Sequence, residues 1–219
     1  MSRIYILVEG QTEESFINEV VSPFYARLGI YIYPIIVATS RGYKGGLVSY
    51  AKVKPQIMRL CKQHTNAWVS TFFDLYALPT DFPNKDSIEY KKLNNGYDKV
   101  SYLENQLLQD INQPNFLPFL MLHEFEALLF VEPNCFSFWT EPSIIEQLLI
   151  IQQSYTTPED INDSPHTAPS KRILALMPNY KKVVQGTIIA SEIGVDAMRK
   201  SCPHFSEWLN KLENLRVLA

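Results

Sequence analysis

Four short β-rich apolar runs, separated by segments long enough to cross back over a sheet, constrain this chain more than any other feature. They fall at residues 3–8, 31–38, 67–73 and 116–122. The first, Ile4-Tyr5-Ile6-Leu7-Val8, is apolar without alternation and stops at Gly10, the pattern of a strand covered on both faces. A helix is expected next. Thr12 is a candidate cap, Glu13 and Glu14 suit the positive end of its dipole, and Phe16, Ile17, Val20 and Phe24 recur at helical spacing, with Pro23 placed to kink or end it. Val53, Ile57 and Leu60 mark a second helix, weakened by Pro55, and a polar helix is expected near residues 100–111. Strands alternating with helices predict an α/β fold built on a mainly parallel four-stranded sheet flanked by helices.

The pattern changes after Phe130 and becomes mostly helical. Ser143-Ile144-Ile145-Glu146 reads as a capping box, and further helical runs lie at 171–177 and 205–215. Residues 1–135 therefore form the expected core, with a loop inserted at about 78–98, and 136–219 a helical C-terminal extension packed on it. The proline-containing stretch 156–169 reads as the connector.

Composition excludes several classes. In 219 residues there is no apolar run of the roughly 18–20 residues that a membrane-spanning helix needs, and charge at Glu9 interrupts any secretion signal, so a soluble cytoplasmic protein is expected. Three cysteines, Cys61, Cys135 and Cys202, far apart and in no CxxC spacing, argue for buried thiols rather than disulfides or a zinc knuckle. A net charge of −3 gives no global attraction for nucleic acid and leaves a local basic strip as the means of holding a phosphate backbone.

The chemistry-bearing residues gather where strands end. Glu9 closes the first run, with Glu13 one helical turn beyond; Asp74 closes the third; His123 and Glu124 close the fourth, with Glu126 following. Each has an ordinary explanation taken alone: Glu13 and Glu14 complement a dipole, and Asp74 suits a turn. Parallel strands, however, end on one edge, where ligands of open α/β sheets bind. Carboxylates brought together there repel unless a cation neutralises them, which points to Mg2+ or Mn2+. One histidine does not make a zinc site. On a regular helix Glu124 and Glu126 would stand about 200° apart, so both reach one site only if Glu124 still belongs to the strand end. Asp81 is a further acid in the inserted loop. For anionic partners the candidates are Arg41 and Lys44 in a glycine-rich turn, and Lys171 and Arg172 at a helix start, where cations oppose the dipole and so hint at a partner anion. Arg199 and His204, around Cys202-Pro203, read as a helix C-terminal cation and a cap.

At these residues the chain also resembles known families. A strand, Glu-Gly and a helix, with an aspartate closing a later strand, is similar to the Toprim fold of topoisomerases, primases and overcoming-lysogeny-defect nucleases. That resemblance implies an acid/base glutamate, here Glu9, with His123 beside it as a second catalytic candidate. It also implies a magnesium site drawing on Glu9, Asp74, Glu124 and Glu126, with Glu13 and Asp81 as further acids. Nearly the whole chain resembles the bacterial domain-of-unknown-function family 4276. The shared motifs are Val8-Glu9-Gly10-Gln11-Thr12-Glu13, Phe73-Asp74-Leu75-Tyr76-Ala77-Leu78-Pro79, His123-Glu124-Phe125-Glu126-Ala127-Leu128-Leu129-Phe130, Ala168-Pro169-Ser170-Lys171-Arg172 and Cys202-Pro203-His204-Phe205. The resemblance implies a metal-dependent nuclease or phosphodiesterase in defence against foreign DNA, working beside an ATPase partner, since no phosphate-binding Gly-x-x-x-x-Gly-Lys-Ser/Thr loop is present. One departure matters: Tyr76 stands where Toprim proteins carry the second aspartate of Asp-x-Asp, and a neutral phenol is a poor magnesium ligand. The rival expectation is a binding or adaptor module that kept the fold without the chemistry.

Overall fold

A computed structural model describes residues 2–40, 43–44, 49–161 and 167–215. β1 (Ser2–Val8) leads into α1 (Gln11–Phe16), a π-helical turn (Ile17–Val21) and α2 (Ser22–Ala26). Pro23 does not end this helical stretch. The widened turn just before it takes up the missing N–H and the bulk of its ring. β2 (Ile30–Ile36), a small antiparallel pair of β3 (Ala38–Ser40) and β4 (Tyr43–Lys44), and α3 (Tyr50–Gln63) follow. Pro55 lies inside α3, which runs through it. Then come β5 (Trp68–Asp74), α4 (Ile88–Lys91) and α5 (Gly96–Ile111).

The fourth expected strand is two pieces, β6 (Phe116–Leu117) and β7 (Leu120–Met121), each paired parallel with β5. Pro118 breaks the ladder because it has no N–H to give. Thr71, wholly buried in β5, repairs the gap: its hydroxyl accepts from Phe119 N–H at 2.9 Å and donates to Phe119 C=O at 2.8 Å. The sheet order is β2-β1-β5-β6, with β7 also against β5, all parallel as expected.

The sheet is covered on both faces. Ile4, Ile6, Val8, Phe72 and Phe119 join one apolar cluster, while Leu7, Val69, Phe73 and Leu120 join another with residues of α3 and α5. The first cluster takes in the C-terminal half: α6 (Pro142–Gln153), α7 (Pro169–Leu176), α8 (Thr187–Ile193), α9 (Val195–Ser201) and α10 (Pro203–Glu213) all contribute. Trp208 of α10 lies over Phe72 and stacks on Phe119, and its indole N–H donates to Ser70 Oγ in β5. The helices after residue 135 thus complete one side of the core.

Several local expectations change. Gly10, not Thr12, precedes α1, and Glu141, not Ser143, precedes α6, which has no capping box; a capping box forms instead at Thr157 and Asp160. In the expected connector Glu159 is fully buried and accepts the first N–H groups of α10, from His204 and Phe205. His204 is no cap: its ring is buried, stacks on Phe119, and its Nε2 is 3.0 Å from both Glu104 Oε1 and Leu120 O. Arg199, in the last turn of α9, pairs with Glu213 of α10. All three cysteines are free and buried, and among the described residues no helix is long and apolar enough to cross a membrane.

Replacing Thr71 by Val keeps its shape but strands both Phe119 backbone groups. It should destabilise the fold by about 1–3 kcal/mol, whereas Thr71→Ser should lose less; urea denaturation midpoints measure both.

Candidate metal centre at the carboxyl edge

Register decides what meets at the edge. Val8 pairs with Phe72 and Asp74 with Met121, so Glu9, Asp74 and His123-Glu124 all leave the sheet on the same side. The pairing of β1 with β5 is extended by a side chain: Glu9 Oε1 accepts the Asp74 N–H at 2.7 Å. Glu9 and Glu13 are both only 9 % exposed. Burial, opposed by that hydrogen bond and reinforced by Glu13, pushes the Glu9 carboxyl up to about 8. Asp74 is held well above the usual carboxylate range by burial and then by Glu9, Glu13, Glu126 and Glu124 in turn. Its Oδ1 is buried and has no hydrogen-bond partner among the described residues.

Glu124 and Glu126 do not follow one another on a regular helix, and both carboxylates act on Asp74. Glu124 is still extended (φ −155°, ψ 163°), and a 3-10 helix, Phe125–Val131, begins after it. Their carboxylates are nevertheless committed. Glu124 accepts from Ser170 N–H and Ser170 Oγ at the start of α7. Glu126, buried, lies 2.8 Å from Lys182 Nζ through its Oε1. Burial raises Glu126 to about 7 even with Lys182 opposing it.

Lys182 opens a π-helical turn, Lys182–Gly186, ahead of α8. Burial alone would lower its ammonium; Glu126, Glu124 and Asp74 outweigh that and raise it. Tyr180, buried nearby, has a hydroxyl without a partner among the described residues, and its phenol is raised by burial, Glu126 and Glu124. Gly186 makes room for it: a Cβ there would stand 2.6 Å from the Tyr180 oxygen. Sequence reasoning missed both residues, since a Lys-Lys pair ahead of a helix reads as solvated surface.

The remaining candidates lie apart in role. Asp81 caps α3, its carboxylate accepting from Ser49 Oγ and from the N–H groups of Tyr50 and Ala51. Burial is outweighed by these bonds, and Asp81 is lowered. His123 adopts φ 72°, its carbonyl accepts the Tyr76 N–H, and its ring lies against Gly96 at the start of α5. Tyr76 itself is exposed and supplies no acid. Arg172 donates to Thr167 O and Tyr155 Oη and lies over the Tyr155 ring, while Lys171 is exposed. Lys44 ends β4, and Arg41 lies outside the described residues.

Hard carboxylate oxygens, one of them buried without a partner, fit a divalent cation of the Mg2+ or Mn2+ kind by donor chemistry. Glu9, Glu13 and Asp74 are the acids that neither α7 nor a direct ion pair claims. Among the described residues no three His, Cys, Asp or Glu side chains already stand as a ligand set, so binding requires these carboxylates to close up.

The raised carboxyls set the pH dependence of the metal-free protein. A folded pKa above the unfolded value contributes stability present below the unfolded pKa and lost as pH rises through the folded one. For Glu9 that window runs from 4.5 to about 8. Glu9→Gln and Asp74→Asn should therefore match the wild type near pH 4 and exceed it near pH 9, by on the order of a few kcal/mol, in chemical denaturation with a chelator present. A deficit at pH 9 would mean that Asp74 serves mainly as a turn former.

A search of curated proteins finds no match to the chain. Among solved structures it is similar to the C-terminal region of the OLD protein of Xanthomonas campestris pv. campestris. Two such structures match at 15% and 17% identity, each over 96% of this chain and over 98% and 97% of theirs, with TM-scores of 0.43 and 0.42. The family described as "Domain of unknown function (DUF4276)" matches residues 8–213, and the chain belongs to that family.

Proposed function

We propose that this protein is a divalent-metal-dependent nuclease or phosphodiesterase acting on nucleic acid, with Glu9 as its proton carrier and Asp74 at the heart of its metal site. The observation that supports this reading best is the buried, unpartnered Oδ1 of Asp74 at the edge where Glu9 and the Glu124-Glu126 segment also end. Such an oxygen is costly to bury unless a proton or cation meets it.

Glu9, Glu13 and Asp74 would hold the cation, with Glu124 and Glu126 around them. A bound Mg2+ or Mn2+ supplies Lewis-acid polarisation of a phosphate and activation of water. Glu9 keeps Oε1 on the Asp74 N–H, which leaves Oε2 to carry the proton. Its raised carboxyl is poised near neutrality, where transfer in either direction is feasible. His123, at the same strand end, is the second candidate for proton transfer. Lys171, exposed near the start of α7, is the phosphate-facing cation. Arg172 supports it by fixing the helix start through Thr167 and Tyr155, and Arg41 and Lys44 are the further cations of this reading. An ATPase partner and a role in defence against foreign DNA accompany this reading by resemblance to overcoming-lysogeny-defect nucleases.

A binding or adaptor module without chemistry is the second reading. The exposed Tyr76, the Lys182 ammonium already on Glu126 and the lack of a ready ligand set among the described residues favour it.

Cleavage of labelled single- and double-stranded DNA and RNA in Mn2+, with and without a neighbouring ATPase, separates the two. Glu9→Gln, which keeps an oxygen for the cation but no titratable proton, should bind metal more weakly and, at saturating metal, lose about 10²–10⁴-fold in cleavage. Lys171→Ala should weaken nucleic-acid binding and reduce its salt dependence by about one phosphate contact. If the wild type cleaves none of these substrates under either condition, the second reading replaces the first.

A further inference from the structure

Lys182 is placed to control access to the acidic edge, an inference that rests on reading that edge as a cation site. Its ammonium opposes Glu126, Glu124 and Asp74, and it also acts on Glu13. Three features set the Lys182–Glu126 contact apart from a fixed structural ion pair. The lysine side chain is 42% exposed while the Glu126 side chain is 2% exposed, so one partner is half in water and the other is not. The approach is short, 2.8 Å, yet among the described residues it is the one ion pair that Glu126 makes, so no second cation holds the carboxylate. Tyr180, the polar group beside it, makes no hydrogen bond among the described residues, so no second donor locks the lysine's partner in place.

We infer that Lys182 is an exchangeable counter-ion, which neutralises the acidic edge in the free protein and gives way when a divalent cation enters. The exchange is favourable on each side. A half-exposed ammonium returns to water at little desolvation cost, whereas a buried carboxylate must keep a positive partner. A divalent ion offers two charges and several coordination positions to Glu126 together with Asp74, Glu9 and Glu13, where Lys182 offers one charge aimed at Glu126 alone. The lysine therefore protects the free protein from its own carboxylate repulsion and subtracts from the affinity of any cation that follows.

The test compares Mn2+ binding by calorimetry, and melting temperature with and without Mn2+, in wild type, Lys182→Met and Lys182→Arg. Lys182→Met should bind Mn2+ about tenfold more tightly or better, melt lower without metal, and recover with it. Lys182→Arg keeps the charge and should stay near wild type. Equal or weaker Mn2+ binding by Lys182→Met, with wild type binding normally, overturns the counter-ion role and leaves the metal-site reading standing. Binding by neither overturns both. Binding by Lys182→Met alone upholds the counter-ion role while removing the native protein from the metal enzymes. Should Lys182→Met fail to fold, Glu126→Gln with Lys182→Met is compared with Glu126→Gln alone; tighter Mn2+ binding by the double variant supports the inference, and equal or weaker binding overturns it.

Discussion

The hydrogen bond from the Asp74 N–H to Glu9 Oε1 is the contact on which the acidic edge depends. It continues the parallel ladder of β1 and β5 one step past the strand end, with a side chain in place of a carbonyl. For that to happen β1 and β5 must keep their register, and Ile6, Val8 and Phe72 on one face and Leu7 and Phe73 on the other fix it by burial. A slip of one residue would exchange the two faces of β1. The core therefore positions the carboxylate, and the same core makes it expensive, since the apolar surroundings that hold Glu9 raise its carboxyl to about 8.

Five acids near one edge need neutralisation, and the fold supplies it in three forms. Protons suit Glu9 and Asp74, whose carboxyls burial raises. The start of α7 suits Glu124, through Ser170 N–H and Oγ, where the helix dipole favours negative charge. A full cation suits Glu126, through Lys182. Two of these three come from beyond residue 135, so the C-terminal helices do more than cover the sheet. They bring the counter-charges to acids that the first half presents.

Much of this was legible in the sequence, and the parts that were not have physical reasons. Short apolar runs ending in Glu9, Asp74 and His123-Glu124 identify parallel strands and their common edge, because burial on both faces and a polar stop leave few alternatives. The motifs at those ends also carry the family assignment. The fourth run reads as one strand although Pro118 interrupts it, and the repair comes from Thr71 of β5, 48 residues from Phe119, which no local pattern reveals. His204 was misread as a cap for a similar reason: the start of α10 is held by Glu159, from 45 residues away. Lys182 and Tyr180 were illegible because their roles exist only once α8 packs beside the edge, and a lysine or tyrosine carries no periodic signature of that.

These forms of neutralisation differ in what they permit. A helix start is fixed to the backbone and cannot leave without unravelling α7, so Glu124 is permanently satisfied. Protons on Glu9 and Asp74 exchange with the medium, and a half-exposed ammonium can rotate away at the expense of one contact. The edge is thus graded, with its least exchangeable neutraliser on Glu124 and its most exchangeable ones on Glu9, Asp74 and Glu126. An arrangement meant only to stabilise the fold would gain by satisfying Asp74 Oδ1 with a donor or replacing the acid with an apolar residue, since a buried group without a partner costs about 1–3 kcal/mol. That the unpartnered oxygen belongs to one of the exchangeable groups is the physical ground for reading this edge as a place that something positively charged is meant to enter.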